Sequence, residues 1–226
     1  NLMDFYTMKG NLKKTQETND KAERLLPFIN QPTYLALFYF MKSFYFFNQG
    51  KYEEALKYIN TSIEKFPSTT LPEHFHIFNK IIKAEMLARL GELGAAIGLL
   101  EENYRDLNKF YPNESSYKLL RIETIKSLIL LRQEKLEDAL DLIKSTINQL
   151  EILFKKPDEN PIQGFSHIIL GEIYEKQNNL QQALNEYKKA EDIYGQIYST
   201  IEVDDMSYLY KNLAILGVNV KDDFIT

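Results

Sequence analysis

Apolar residues recur along most of the chain at helical spacing, in paired segments that short polar breaks separate. In residues 41–48 and again in residues 55–66, the apolar positions follow a period near 3.6 residues. Gly50 and Lys51 stand between these two segments, and a glycine there favours a turn over a continuous helix. The pattern predicts two amphipathic helices that pack against each other as a hairpin.

The hairpin pattern occurs four times. An alanine stands near the start of each second segment, and successive alanines are 41, 43 and 44 residues apart: Ala55, Ala96, Ala139 and Ala183. A small residue is expected where two helices approach closely, because a larger side chain would cost about 1–3 kcal/mol through overpacking. Glu134 replaces the turn glycine in one copy, and Asn103 replaces a later small residue in another.

The fourth copy has the fullest form of the pattern. Leu170-Gly171-x2-Tyr174 precedes Ala183-x3-Tyr187-x2-Ala190. This arrangement resembles the tetratricopeptide repeat family, in a long variety with repeats of about 40–44 residues rather than about 34. The resemblance implies an all-α fold, a right-handed α-α superhelix that forms a solenoid of antiparallel helix hairpins.

The repeats are expected to form one solenoid domain over residues 1–226. We assign a partial repeat, four complete repeats and a C-terminal capping helix, at residues 1–30, 32–70, 73–112, 115–156, 161–200 and 204–217. Stepping back about 40 residues from Ala55 reaches Thr15, inside the partial repeat. The chain is therefore expected to be a fragment of a longer protein. The last helix, with Gly217 as its C-cap, would cover the last hairpin or be a first helix without its partner.

Composition and charge exclude several functions. The net charge is -5 and the isoelectric point is about 5.4, so we expect no direct contact with nucleic acid. The chain has no cysteine, which excludes disulfides and thiolate zinc sites and fits a cytoplasmic location. No stretch approaches the roughly 20 apolar residues that cross a membrane, so no membrane contact is expected.

The residues that could support catalysis lack the partner residues that a catalytic or metal site requires. His74 and His76 are two residues apart, so on a helix they point to different sides and predict no metal site. His167 follows Ser166, but no third partner or oxyanion donor accompanies them. His167 is therefore expected to be packed or exposed, and Gly171 is explained by helix packing. We predict that the chain is not an enzyme and binds no cofactor or metal.

The candidate binding residues lie on the first helix of each repeat, which the resemblance implies lines a concave face. Counting from the aligned alanines, the inward-facing candidates are Phe40, Phe44, Phe47, Phe78, Ile81, Glu85, Arg89, Arg121, Thr124, Phe165 and Glu172. Phe40, Phe44 and Phe47 are expected to anchor an apolar side chain of the ligand. The competing interpretation is that these aromatic residues pack in the core.

The resemblance implies a binding function, a protein- or peptide-binding module that uses its concave face. Family members that clamp the acidic tails of chaperones present Lys and Asn there, and this chain has Phe40, Phe44 and Leu128 instead, so a chaperone tail is excluded. Two alternatives stay open. The chain is similar to the peptide-sensing domain of bacterial tetratricopeptide-type transcriptional regulators, and it could also be the recruiting domain of a larger enzyme. Another copy of the chain, in a homo-oligomer, is a further candidate partner.

Overall fold

Every regular element among the described residues is a helix. The computed structural model describes residues 11–110, 117–154, 160–198 and 204–217. These residues form ten α-helices and two short 3₁₀ helices, and none of them forms a strand. The predicted all-α, repeat-like fold is therefore confirmed. The chain divides into two compact units, residues 1–118 and 119–226.

The described residues of the first unit form five complete α-helices. Their bounds are Leu12–Leu25 (α1), Pro32–Phe47 (α2), Tyr52–Lys65 (α3), Glu73–Arg89 (α4) and Leu93–Phe110 (α5). Helix α2 packs against α3 and α4 packs against α5 as hairpins, while α3 also packs against α4. A 3₁₀ turn at Leu26–Phe28 follows α1, and another at Phe66–Ser68 follows α3, which is the second helix of its hairpin. Helix α1 therefore ends in the same way as the second helix of a hairpin. Residues 1–10 of the predicted partial repeat lie outside the described residues.

The other described helices belong to the second unit. These are α6 (Tyr117–Arg132), which begins two residues before the unit boundary, α7 (Leu136–Leu153), α8 (Pro161–Lys176), α9 (Leu180–Ile197) and α10 (Asp204–Ile215). Helix α8 packs against α7 and α9, and α9 packs against α10. The predicted repeat ends at 112, 115, 156 and 200 lie outside the described residues. No described helix combines the length and the apolar composition that a membrane span requires.

The first helices of the four hairpins end in the same kind of turn. One residue after each has a left-handed backbone, with φ of 69° at Gly50, 83° at Gly91, 60° at Glu134 and 61° at Asn178. The N–H of the next residue then bonds to a carbonyl five residues back, as from Lys51 to Phe46 at 3.0 Å and from Lys135 to Leu130 at 3.0 Å. This pattern satisfies carbonyls that the helix end would otherwise leave unpaired. The turn at Glu134 thus has the same geometry without glycine.

The turn at Glu134 generates the first prediction. A residue with a Cβ in the left-handed region costs roughly 1–2 kcal/mol, so Glu134→Gly should raise the free energy of unfolding by about 1 kcal/mol. The matched control is Gln133→Gly, one residue earlier and without a positive φ, which should not stabilise the protein. Urea unfolding of both variants measures the difference, and equal effects at the two positions would contradict the strain at Glu134.

A small residue is buried near the start of α1, α3, α5, α7 and α9. The five equivalent residues have no exposed surface: Thr15, Ala55, Ala96, Ala139 and Ala183. Their backbone N–H groups each bond to the carbonyl four residues earlier, as from Ala55 to Lys51 at 2.9 Å, and this bond closes the first turn of the second helix. These positions are buried, as expected for small residues between packed helices.

Gly171 brings α8 close to α9. A Cβ at Gly171 would lie 2.4 Å from Cε1 of Tyr187, which is closer than packed atoms approach. The Tyr187 ring is fully buried, and its hydroxyl donates to Oε2 of Glu175 at 2.9 Å. Because that hydroxyl is held, the ring has little room to retreat. The packing role that the sequence predicts for Gly171 is confirmed.

Gly171→Ala is therefore expected to lower the free energy of unfolding by about 1–3 kcal/mol through overpacking. Gly195→Ala is the matched control on α9, since nothing lies within 4 Å of a Cβ built there. The control should be neutral or stabilising by up to about 1 kcal/mol, because alanine favours a helix over glycine. Thermal unfolding of both variants tests the contact, and a neutral Gly171→Ala would show that Tyr187 does not limit the helix distance.

Candidate functional site

Aromatic side chains from three helices of the first unit pack against one another, and one arginine contacts two of them. We call this set the aromatic–arginine cluster: Phe40, Phe44 and Phe47 of α2, Tyr52 of α3, and Phe75, Phe78, Glu85 and Arg89 of α4. The ring centroids of Phe40 lie 5.1 Å from Phe44, 5.0 Å from Phe75 and 6.0 Å from Phe78. These separations are those of attractive tilted and edge-to-face ring pairs.

Helical spacing brings the cluster together. Phe40, Phe44 and Phe47 stand at i, i+4 and i+7 on α2, so they share one face. Phe75 and Phe78 stand three residues apart on α4 and meet that face. The sequence therefore grouped the α2 residues correctly. It missed Phe75, although its three-residue spacing from Phe78 was a usable signal.

The cluster is only partly open to solvent. Phe40 is 5% exposed and Phe47 is 6% exposed, and both pack with Ala55, Ile59 and Met86 in a hydrophobic core. Neither ring has the open surface that a ligand anchor needs, which agrees with the competing interpretation of core packing. Ile81 is also fully buried.

Two predicted residues in the cluster keep exposed surface. Phe44 and Phe78 are half-buried and pack against the core from its edge, as Phe75 does. All three rings pack against the ring of Phe40. The surface that remains accessible is therefore formed by the outer parts of these three rings.

Arg89 holds the cluster from the α4 side. Its guanidinium carbon lies 5.0 Å from the ring centroid of Phe47 and 5.7 Å from that of Tyr52. Nη1 donates to the Tyr52 hydroxyl at 3.1 Å, and Nη2 donates to Oε1 of Glu85 at 3.0 Å. Glu85 is 1% exposed, so this pair is internal. Breaking such a buried pair by removing one partner costs about 3–5 kcal/mol, and Arg89 and Glu85 therefore position the rings.

In the second unit most of the predicted residues are buried. Arg121 is 5% exposed, Thr124 has no exposed surface and Phe165 is 5% exposed. The Thr124 hydroxyl lies 3.0 Å from the Ser166 hydroxyl and donates to the Leu120 carbonyl at 2.9 Å. These three side chains therefore belong to the interior of the unit. Helical periodicity assigned them to one face of a helix but could not show how closely neighbouring helices cover that face.

Glu172 is the predicted residue of the second unit that remains accessible. It is half-buried, and its Oε2 accepts a hydrogen bond from Nη1 of Arg132 at 2.8 Å. Arg132 Nη2 also donates to the Tyr208 hydroxyl at 3.4 Å. Burial raises the pKa of Tyr208, and the charge of Glu172 raises it further, so this phenol stays protonated at neutral pH. We call Arg132, Glu172 and Tyr208 the polar trio.

The histidines occupy packed or surface positions. His167 is 3% exposed, and its Nδ1 lies 2.7 Å from Oε2 of Glu186. The neighbouring Ser166 donates to the Ile162 carbonyl at 2.8 Å. His76 stacks on the Phe66 ring with centroids 4.3 Å apart. Among the described residues, no three His, Cys, Asp or Glu side chains stand close enough together to hold a metal ion.

The His167–Glu186 contact predicts a pH dependence of stability. Burial alone would raise the pKa of Glu186, but hydrogen bonds from His167 and Lys189 outweigh it and lower this pKa overall. A carboxyl whose folded pKa is depressed stabilises the fold above its unfolded pKa, near 4.3, and loses that contribution as pH falls through the folded value.

Glu186→Gln should therefore lower the free energy of unfolding at pH 7 by about 1–3 kcal/mol, because His167 and Lys189 lose a charged acceptor. The difference in the free energy of unfolding between the wild type and Glu186→Gln should narrow as the pH falls from roughly 5 to 3. Urea unfolding across that range measures the gap, with Glu151→Gln on the exposed face of α7 as the control. A gap that stays constant with pH would contradict the assignment.

Comparisons with known proteins bear on the fold alone. Neither the protein-family models nor the curated proteins give a match to this chain. Among solved structures, the chain is similar to the crystal structure of BtubC (BKLC) from P. vanneervenii, with a TM-score of 0.57 and 16% sequence identity. The match covers 86% of this chain and 77% of BtubC. At this identity the likeness shows an all-α, helical repeat-like fold.

Proposed function

We propose that the chain is a protein- or peptide-binding interaction module and that the partner contacts the outer ring surfaces of Phe44, Phe75 and Phe78. One observation carries the proposal: these rings are half-buried at the edge of a packed aromatic cluster. Aromatic side chains that keep accessible surface supply much of the binding energy at protein interfaces.

The contacts behind these rings favour binding at this position. Phe40 and Phe47 fill the space beneath them, and Arg89 fixes Phe47 and Tyr52 from the side. Rings that are already held in one conformation lose little further entropy when a partner covers them. In the second unit, the polar trio supplies a separate set of charged and hydroxyl contacts, with Glu172 and Tyr208 oriented by Arg132.

The proposal includes membership of the tetratricopeptide repeat family and a cytoplasmic location in a bacterium. The recurring turn geometry and the buried small residue of each hairpin support the family resemblance. The absence of cysteine supports the location. The proposed role is binding without catalysis, since the hydroxyl of Ser166 and the imidazole of His167 both hydrogen-bond within the fold.

Phe44→Glu tests the proposal, because it puts a charge on the contact surface. The wild-type chain and the variant are each incubated with lysate of the source organism, and the bound proteins and short peptides are identified by mass spectrometry. We expect the variant to recover at least about tenfold less of the specific partner, a loss of about 1.4 kcal/mol or more. The control is Tyr104→Glu on α5, where the side chain is 45% exposed outside the cluster.

The outcomes separate the alternatives. A protein that is lost only with Phe44→Glu supports a scaffold, and a short peptide lost in the same way supports a peptide sensor. Circular dichroism and thermal unfolding of the variant must match those of the wild type. If Phe44→Glu unfolds the chain, the ring belongs to the core and the site assignment is wrong. Equal recovery of the partner by the wild-type chain and by Phe44→Glu would also overturn the proposal.

A further inference from the structure

Helix α1 buries polar side chains where the second helices of the hairpins bury apolar ones. Its buried residues are Thr15 and Asn19, and Asn19 stands four positions after the small residue Thr15. At the same place α3, α5, α7 and α9 each have a large, fully buried residue: Ile59, Leu100, Ile143 and Tyr187. The packed face of α1 therefore differs in polarity from that of the other four helices.

Asn19 has an unfavourable environment in this position. The residue is 3% exposed, and its Oδ1 is buried and accepts no hydrogen bond from any residue that the structure describes. A buried acceptor without a donor has lost its hydrogen bonds to water and gained none within the protein. Water restores those bonds when α1 leaves its place, so Asn19 favours the released helix.

The end of α1 contributes little apolar packing. Leu25 is 58% exposed, and Leu26, eleven positions after Thr15, is only half-buried. The equivalent residues of the other four helices are all buried: Phe66, Leu107, Leu150 and Tyr194. Helix α2 also packs less extensively against α1 than against α3. Because the stabilisation from burial follows the apolar area removed from water, α1 is held less strongly than the second helices.

An ion pair joins α1 to the rest of the first unit. Nζ of Lys42 on α2 donates to the carboxylate of Glu23 on α1. The same Nζ lies 4.3 Å from the ring centroid of Tyr58 on α3, and the Lys42 side chain is 13% exposed. The hydrogen bond from Lys42 lowers the pKa of Glu23. The Glu23 side chain is 41% exposed, so water competes for this contact when the helix moves.

We propose that α1 is a detachable helix. It leaves α2 in a local transition that the other helices of the first unit do not share, and the Glu23–Lys42 pair is the latch that opposes this release. Helix α1 has 14 residues, and an isolated helix of that length is marginal in water, so the released segment unfolds. Release frees Lys42 on the side of α2 away from the aromatic–arginine cluster, and the rings of that cluster stay in place. The transition is independent of the proposed function.

Amide hydrogen exchange of the full chain, followed by mass spectrometry of its peptides, tests the release. After correction for intrinsic rates, the amides of α1 should exchange at least about 100-fold faster than those of α3. Low concentrations of urea should accelerate exchange in α3 and have much less effect in α1, because release of one helix exposes less surface than unfolding of the unit. Equal rates with the same urea dependence in both helices would show that α1 opens only with the unit, and would overturn the proposal.

Two substitutions test the latch and the buried amide in the same experiment. Glu23→Gln should speed exchange in α1 by about twofold to fivefold, since it removes the charge that pairs with Lys42. Glu17→Gln, at an exposed position of α1, is the control and should leave exchange unchanged. Asn19→Leu should slow exchange in α1 about tenfold, because it removes the unpaired acceptor and adds apolar contact.

Asp20→Leu is the control for Asn19→Leu. It brings a similar gain in helix propensity at an exposed position, so its effect on exchange in α1 should be clearly smaller. Exchange in α3 and α4 should match the wild type in every variant, which shows that the unit remains folded. If neither Glu23→Gln nor Asn19→Leu changes exchange in α1, these contacts do not control its release and the proposal is wrong. None of these results depends on Phe44.

Discussion

The packing of each second helix depends on one fully buried small residue near its start. A fully buried alanine or threonine occupies this position at Thr15, Ala55, Ala96, Ala139 and Ala183. The left-handed turn that precedes four of these residues fixes where the second helix starts, since its hydrogen bonds recur with nearly constant lengths. Any larger residue at the small position would separate the helices and would also move the side chains that each first helix presents.

Close packing of the helices leaves little of the aromatic–arginine cluster accessible, with Phe40 5% and Phe47 6% exposed. Helix α2 is apolar around most of its circumference, so it packs on several sides. On the side away from the aromatic–arginine cluster, Tyr58 stacks between Tyr39 and Phe46, with interplanar angles of 11° in both pairs. Lys42 covers the Tyr58 ring at 4.3 Å and pairs with Glu23 of α1. With these two sides of α2 occupied, Phe44 offers a partner the outer part of its ring, while Tyr34 at the start of α2 is 58% exposed.

The sequence predicted the fold well because its signals are local. A turn residue followed five positions later by a small residue specifies a hairpin, and Gly217 was found as a C-cap by the same logic. Burial was harder to predict, because periodicity assigns Phe40, Arg121 and Thr124 to a face without showing how closely the next helix covers it. Tyr208 was missed because its partner Arg132 lies 76 residues away, a separation that no local pattern contains.

The most direct test of the binding assignment is fluorine NMR on chains with 4-fluorophenylalanine at Phe44 or, separately, at Phe40. The partner recovered from the source organism is titrated into each protein. We expect the Phe44 resonance to shift and broaden as the partner saturates the protein, because the outer part of this ring becomes covered. The resonance of the buried Phe40 should change much less. If the Phe44 resonance does not change at a saturating concentration of the partner, the aromatic–arginine cluster is not the binding surface.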